Sequence, residues 1–74
     1  MKIGVLKETQ QGETRVGISP KIAKQLIDKN FEVIVEKNAG NSASFKDSDY
    51  IEAGAKMESR GVVYKEANII IKIN

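Results

Sequence analysis

Three short apolar runs punctuate an otherwise polar chain: Ile3-Gly4-Val5-Leu6, Phe31-Glu32-Val33-Ile34-Val35-Glu36 and Asn68-Ile69-Ile70-Ile71-Lys72-Ile73. Each is too short for a stable helix and is rich in β-branched residues, so each reads as a strand. In the second run Phe31, Val33 and Val35 share one face and Ile34 takes the other, following the two-residue period of a strand. The third run is apolar on both faces, as a strand buried between helix layers is. Gly4 in the first run allows a neighbouring element to approach closely.

Between the first two runs the period changes. From Pro20, the residues Ile22, Ala23, Leu26 and Ile27 fall on one helical face, while Lys21, Lys24, Gln25 and Asp28 fall elsewhere. Ser19 is placed to cap the first free amides, and Pro20 suits the first helical position because its missing N–H would be unpaired there. The helix is expected to stop near Lys29, with Asn30 turning left-handed and Phe31 packing back on Leu26. Lys37 to Ser44 reads as a loop of small residues. Asp47 is expected to cap a second helix that runs through Ala53 and ends at Gly54. Ala55 to Glu58 reads as a short edge strand, and Gly61 to Glu66 as a short helix carrying Val62 and Val63. Tyr50 and Tyr64 sit at helix positions, where half-buried packing is expected of them.

Strands alternating with helices over long connections imply a parallel sheet built by right-handed crossovers. The fold class is therefore α/β, an open, mainly parallel sheet in three layers. Seventy-four residues hold one small domain. Pro20 is the only proline and no internal repeat occurs, so no linker divides the chain.

Composition narrows the functional classes. Apolar residues make up 41% and charged residues 30%, which fits a folded chain and not a disordered one. No apolar run approaches the roughly 20 residues of a membrane span, and no leader-like segment precedes the first strand, so a cytoplasmic location is expected. The absence of cysteine and histidine removes disulfides, thiol nucleophiles, Cys/His zinc sites and imidazole acid–base chemistry from these residues. A net charge of +2 with interspersed signs is too weak for a nucleic-acid footprint.

What remains is the polar stretch from Lys7 to Pro20, which follows the first strand. Ligands of open α/β sheets sit outside the carboxyl ends of the strands. Lys7, Arg15, Lys37 and Lys72 all lie at or just beyond such ends, where they can converge on one edge and hold an anion. Arginine suits this because it grips a carboxylate through two parallel hydrogen bonds. The alternative is that these are ordinary solvated charges at loop ends. Glu8 and Glu13 have no partner visible in the sequence that would tune either as a general base. Ser42 and Ser44 read as loop formers, with no base beside them. No G-x-G-x-x-G turn follows any strand, so the phosphate-binding fingerprint of a Rossmann domain is absent.

The segments Met1-Lys2-Ile3-Gly4-Val5-Leu6-Lys7-Glu8 and Gly12-Glu13-Thr14-Arg15-Val16-Gly17-Ile18-Ser19-Pro20 resemble the amino terminus shared by alanine dehydrogenase and the alpha subunit of proton-translocating NAD(P) transhydrogenase. The resemblance continues through Phe31 to Glu36, Ala39-Gly40 and Ala53-Gly54-Ala55 to Ala67-Asn68-Ile69-Ile70-Ile71-Lys72-Ile73-Asn74. It implies a flavodoxin-like sheet, with residues 1–74 a single partial domain, the amino-terminal part of the family's first domain. The Rossmann nucleotide-binding domain would lie further along the polypeptide. Arg15 matches the arginine that contacts the substrate carboxylate in alanine dehydrogenase. The second substrate-binding group of that enzyme, a lysine, aligns with Asn74, and an amide there resembles the transhydrogenase pattern more closely. Arg15, Lys72, Asn74 and Lys7 are thus the expected cleft-lining residues, with no catalytic residue or metal ligand in the segment.

The resemblance further implies that NAD(H) binds the full-length subunit, which exchanges a hydride with NADP(H) on a partner, coupled to proton translocation. No cofactor is expected for this segment alone, which should itself be inactive. The expected partners are the remainder of the alpha subunit, the transhydrogenase beta subunit and a second alpha subunit in a homodimer, peripheral to the inner membrane on its cytoplasmic side. Alanine dehydrogenase, or a non-enzymatic segment acting only by association, are the alternatives. Leu6 departs from the family pattern by replacing a proline, and Asn30 and Asn38 by standing where glycine is usual, which asparagine's tolerance of positive φ permits.

Overall fold

The computed structural model describes residues 1–73. Four strands, β1 (Lys2–Val5), β2 (Glu32–Glu36), β3 (Lys56–Glu58) and β4 (Ile69–Ile71), form one sheet in the order β3-β2-β1-β4. All three pairings are parallel. Three helices connect them: α1 (Pro20–Asp28), α2 (Asp47–Glu52) and α3 (Arg60–Glu66), with a 3₁₀ turn at Asn41–Ala43 before α2. If the three-residue β3 is set aside, the order begins as flavodoxin-like sheets do, with the first strand between the second and third; β3 extends that sheet beyond β2.

The strand period sorts the core onto two faces. Ile3, Val5, Val33 and Val35 pack on one side with Ala23 of α1 and Tyr50 of α2. Ile34 and Leu6 pack on the other with Val63 of α3. The connections β1–α1–β2 and β2–α2–β3 therefore cover one face, and β3–α3–β4 crosses back over the other. Gly4 makes the second face possible: a Cβ there would stand 2.6 Å from the Ala67 Cβ and 2.8 Å from a Val63 methyl. Only a residue without a side chain lets α3 lie this close to β1.

Helix α1 forms as its sequence dictates. Ser19 adopts extended backbone and its hydroxyl accepts the Ile22 N–H at 3.3 Å, while Pro20 opens the helix. At the other end the Asn30 N–H donates to the Ile27 carbonyl and the Phe31 N–H to Leu26, with Asn30 at φ +72°. That pair of bonds is a Schellman motif, and Phe31 and Leu26 both pack against the same core cluster.

Helix α2 starts differently from the expectation. Asp47 is not its cap: Lys46 takes the extended capping position and Asp47 is the first helical residue. The Asp47 carboxylate instead accepts the Asn38 N–H at 2.9 Å, fastening the preceding loop, and Asp49 accepts the Lys46 N–H at 2.9 Å. Two acidic residues in one helical turn divided these tasks, and only the tertiary position of Asn38 decides which does which.

Tyr50 is fully buried, not half-buried, and its hydroxyl donates to the Ile18 carbonyl at 2.7 Å. Burial, reinforced by Asp47 and Asp49, pushes the phenol up to about 12. Tyr64 goes the other way, being 57% exposed with the Arg60 guanidinium 5.7 Å above its ring.

Strand β4 is shorter than the apolar run and is an edge, paired among the described residues with β1 alone. Ile70 packs under α3 and Ile71 against the opposite core, but Ile69 is 43% exposed. The two-faced burial expected of this run is therefore realised only in part among the described residues, which leave Ile69 exposed.

Candidate functional site

The crossovers that leave β1 for β2 and β3 lie on one face and the one that returns to β4 lies on the other, so β1 and β4 run side by side while α1 and α3 lie on opposite sides of the sheet. This is a topological switch point, where the loops beyond neighbouring strand ends diverge and leave a crevice. The segments at that crevice are the polar loop after β1 and the residues after β4.

Both are fastened there. The Leu6 N–H reaches the Ile71 carbonyl at 3.4 Å, and the Ile73 N–H donates to Glu8 Oε2 at 2.7 Å, so Glu8 bridges the ends of β1 and β4. Further along the loop, Gly17 lies against Ile71; a Cβ at Gly17 would stand 2.8 Å from an Ile71 methyl. The Ile18 carbonyl is then held by Tyr50. A turn closed by the Glu13 N–H on the Gln10 carbonyl, with Gly12 at φ +85°, shapes the tip.

This turn places Arg15. Its Nε and Nη2 donate to the two oxygens of Glu13, each at 2.9 Å, and its backbone N–H donates to Glu13 Oε2 at 2.9 Å. Arg15 holds its proton more tightly than a free guanidinium, chiefly through the hydrogen bonds to Glu13, then through the charge of Glu13, with Glu8 adding to it. Glu8 thus stands at the switch point beside β4, and the Glu13–Arg15 pair lies near enough for Arg15 to feel its charge.

A second cluster adjoins it over β2. Glu36, at the end of β2, accepts the Lys7 N–H at 2.8 Å and Arg60 Nη1 at 2.9 Å, and Arg60 also donates to the Lys7 carbonyl at 3.2 Å. The carboxylate locks the start of the polar loop to the start of α3, with side-chain exposures of 14% for Glu36 and 35% for Arg60.

Of the expected site residues, Lys7 and Lys72 stand at the ends of the adjacent strands β1 and β4, both exposed. Arg15 is bonded to Glu13 in the loop after β1, within reach of the charge of Glu8. Asn74 lies outside the described residues. Lys37 stands at the end of β2 on the side of β3, bonded through its N–H to the Glu58 carbonyl, and does not join the switch point. The sequence reading missed the partner roles of Glu8 and Glu13 and did not single out Glu36 or Arg60. A Glu-x-Arg spacing in a glycine turn was the available signal for Glu13. Glu36 and Arg60 are 24 residues apart, and nothing local couples them.

At the opposite, amino-terminal edge a groove of about 160 Å³ is lined by Phe31, Ile27 and Gly54 with Lys2, Lys56 and Glu66 at its rim. No group of three or more side chains suited to hold a metal ion occurs among the described residues. No described helix is long and apolar enough to cross a membrane.

Comparison with known proteins places the whole chain in one group. Residues 4–74 match the family model described as the alanine dehydrogenase/PNT N-terminal domain. Alanine dehydrogenase of Staphylococcus epidermidis is 44% identical over 73 residues, 99% of this chain and 20% of that protein. NAD(P) transhydrogenase subunit alpha of Haemophilus influenzae is 42% identical over 74 residues, 100% of this chain and 14% of the subunit. Among solved structures, an L-alanine dehydrogenase superposes with a TM-score of 0.90 at 36% identity, over 97% of this chain and 20% of that one. A transhydrogenase from Sinorhizobium meliloti also gives 0.90, at 32% identity and the same coverage. The chain spans a fifth or less of the length of these relatives.

Proposed function

Because the chain belongs to the alanine dehydrogenase/PNT N-terminal domain family, we propose that it forms the first part of the alpha subunit of a proton-translocating NAD(P) transhydrogenase. In this reading residues 1–74 are a partial domain. The nucleotide-binding Rossmann domain, which binds NAD(H), lies further along the polypeptide. The assembled enzyme exchanges a hydride between NAD(H) and NADP(H), with the beta subunit and a second alpha subunit as partners at the cytoplasmic face of the inner membrane. The nicotinamides carry the chemistry of hydride transfer, so this segment has to supply binding and orientation rather than an acid or a base.

The observation that carries the choice is Asn74. The alanine dehydrogenase pattern has a substrate-binding lysine there, and an amide cannot replace its charge. In this reading Arg15, together with Lys7 and Lys72 just beyond the ends of β1 and β4, lines the cleft between this domain and the nucleotide domain. The competing reading, an alanine dehydrogenase, is favoured by the 44% identity to the staphylococcal enzyme.

Assay of the full-length protein decides between them. NADPH-driven reduction of an NAD analogue in membranes containing both subunits is the expected activity. Alanine-driven reduction of NAD by the alpha polypeptide alone, without the first activity, would establish the dehydrogenase instead.

A further inference from the structure

Glu13 and Arg15 form an unequal pair. The Glu13 side chain is 9% exposed and that of Arg15 69%. The carboxylate is therefore the planted member and the guanidinium the presented one. A surface ion pair between two mobile side chains contributes little and orders little. Here the geometry differs, because three donors of one residue converge on one carboxylate: the Arg15 backbone N–H, Nε and Nη2. The backbone bond fixes Glu13 relative to the Arg15 main chain, and the two side-chain bonds then fix the plane and rotation of the guanidinium.

Which edge is used matters. A guanidinium has five N–H groups in a rigid fork. The pair with Glu13 takes the Nε–Nη2 edge. The outer edge, made of Nη1 and the second Nη2 proton, is the one not engaged by Glu13. That edge matches a planar or tetrahedral oxyanion with two parallel hydrogen bonds. Lysine at this position could not serve both edges, since an ammonium has no fixed fork.

We infer that Glu13 is a positioning residue for Arg15, holding its inner edge so that the outer edge is presented to a ligand oxyanion at the switch point. This rests on the reading that Arg15 lines the ligand cleft. Electrostatics give the arrangement a specific character. Glu13 cancels the net charge of Arg15, and Glu8 lies near enough to act on it as well, so attraction comes from directed hydrogen bonds more than from net positive charge. The site thereby selects groups that accept two bonds in one plane, carboxylate or phosphoryl, over monatomic anions.

The experiment is nuclear magnetic resonance on the 74-residue chain, with the Arg15 Nε–H followed in the unmodified protein and in Glu13→Gln. Acetate, inorganic phosphate and chloride are titrated at constant ionic strength. The expected result is a slowly exchanging, ordered Nε–H, with exchange at least tenfold faster in Glu13→Gln. Acetate and phosphate, but not chloride, should shift the Arg15 side-chain resonances, several-fold more weakly in the variant. Glu13→Asp, one methylene shorter, keeps the charge but cannot reach both nitrogens, and serves if Glu13→Gln does not fold. Equal exchange rates in the unmodified and variant proteins would overturn the positioning role. An ordered Nε–H with no oxyanion response would make the pair a staple of the loop and equally overturn the inference. Neither result touches the hydride-transfer reading, which the assays of the full-length protein decide separately.

Discussion

Tyr50→Phe removes one oxygen and nothing else from the centre of the larger core. The ring keeps its edge-to-face contact with Phe45, whose centroid is 6.4 Å away, so no cavity larger than a hydroxyl opens. What is lost is the 2.7 Å bond to the Ile18 carbonyl, and Ile18 itself is 6% exposed. Stranding a buried acceptor costs about 1–3 kcal/mol. A domain of this length holds roughly 4–11 kcal/mol in all, and each kcal/mol moves the melting temperature by about 4–8 °C.

The same phenol gives the prediction a pH signature. Its folded pKa is raised to about 12 from the ordinary 10.0, so the unfolded chain ionises first as the solution becomes alkaline. The stabilisation from the protonated, buried phenol is fully present below about pH 10 and is lost as pH rises towards about 12. Phenylalanine has no such dependence. Melting followed by circular dichroism at neutral pH should therefore show a clear loss in Tyr50→Phe, and urea titrations at alkaline pH should show the gap between the two proteins closing. An unchanged melting temperature, or a gap that stays constant across the alkaline range, would refute the assignment of a buried, bonded hydroxyl.

Three further outcomes are expected. Gly4→Ala drives a methyl into Ala67 and Val63 and should cost about 1–3 kcal/mol by overpacking, read as a lower urea midpoint at unchanged slope. Without the glycine-rich turn and acidic ribose ligand of a dinucleotide site, the isolated chain should show no useful affinity for NADH in a fluorescence titration, and a micromolar dissociation constant would contradict this. In the isolated chain the outer edge of β4, where Ile69 is exposed and no described strand pairs, offers backbone groups to another strand. Light scattering should accordingly detect concentration-dependent association that Ile71→Lys weakens, whereas a concentration-independent monomer would exclude it.

How far the sequence alone revealed this structure depended on how local each signal was. Helix α1 was legible to its last bond because capping residue, proline, apolar stripe and Asn30 turn all lie within a dozen positions and agree. The strands β1 and β2 were legible from their two-residue period, and the parallel order followed from long connections. Local signals failed where the deciding partner was distant. Asp47 read as a cap until the fold brought the Asn38 N–H to it. Tyr50 read as a half-buried helix residue because the Ile18 carbonyl, 32 positions away, is invisible to any window. Ile69 read as buried because three consecutive isoleucines imply cover on both sides, and the described residues provide it fully on neither.

The candidate site followed the same division. Lys7, Arg15, Lys37 and Lys72 were candidates by the rule that ligands meet the carboxyl ends of parallel strands, and the sheet order then placed Lys7 and Lys72 just beyond neighbouring strand ends and Lys37 on the side of β3. The carboxylates that organise this edge were not recognised as such. Glu8 reaches the Ile73 N–H, and Glu36 joins Lys7 to Arg60. The first role exists only once two distant segments meet, and the second only once three do.

The most direct test of the central claim is Arg15→Ala in the full-length protein, with turnover and thermal stability measured on the same preparations. Losing an exposed side chain at a ligand cleft should cost activity, while stability falls by no more than the two lost bonds to Glu13 are worth, about 1–3 kcal/mol. A large loss of melting temperature with normal turnover per folded molecule would contradict the account and make Arg15 a structural residue of its loop.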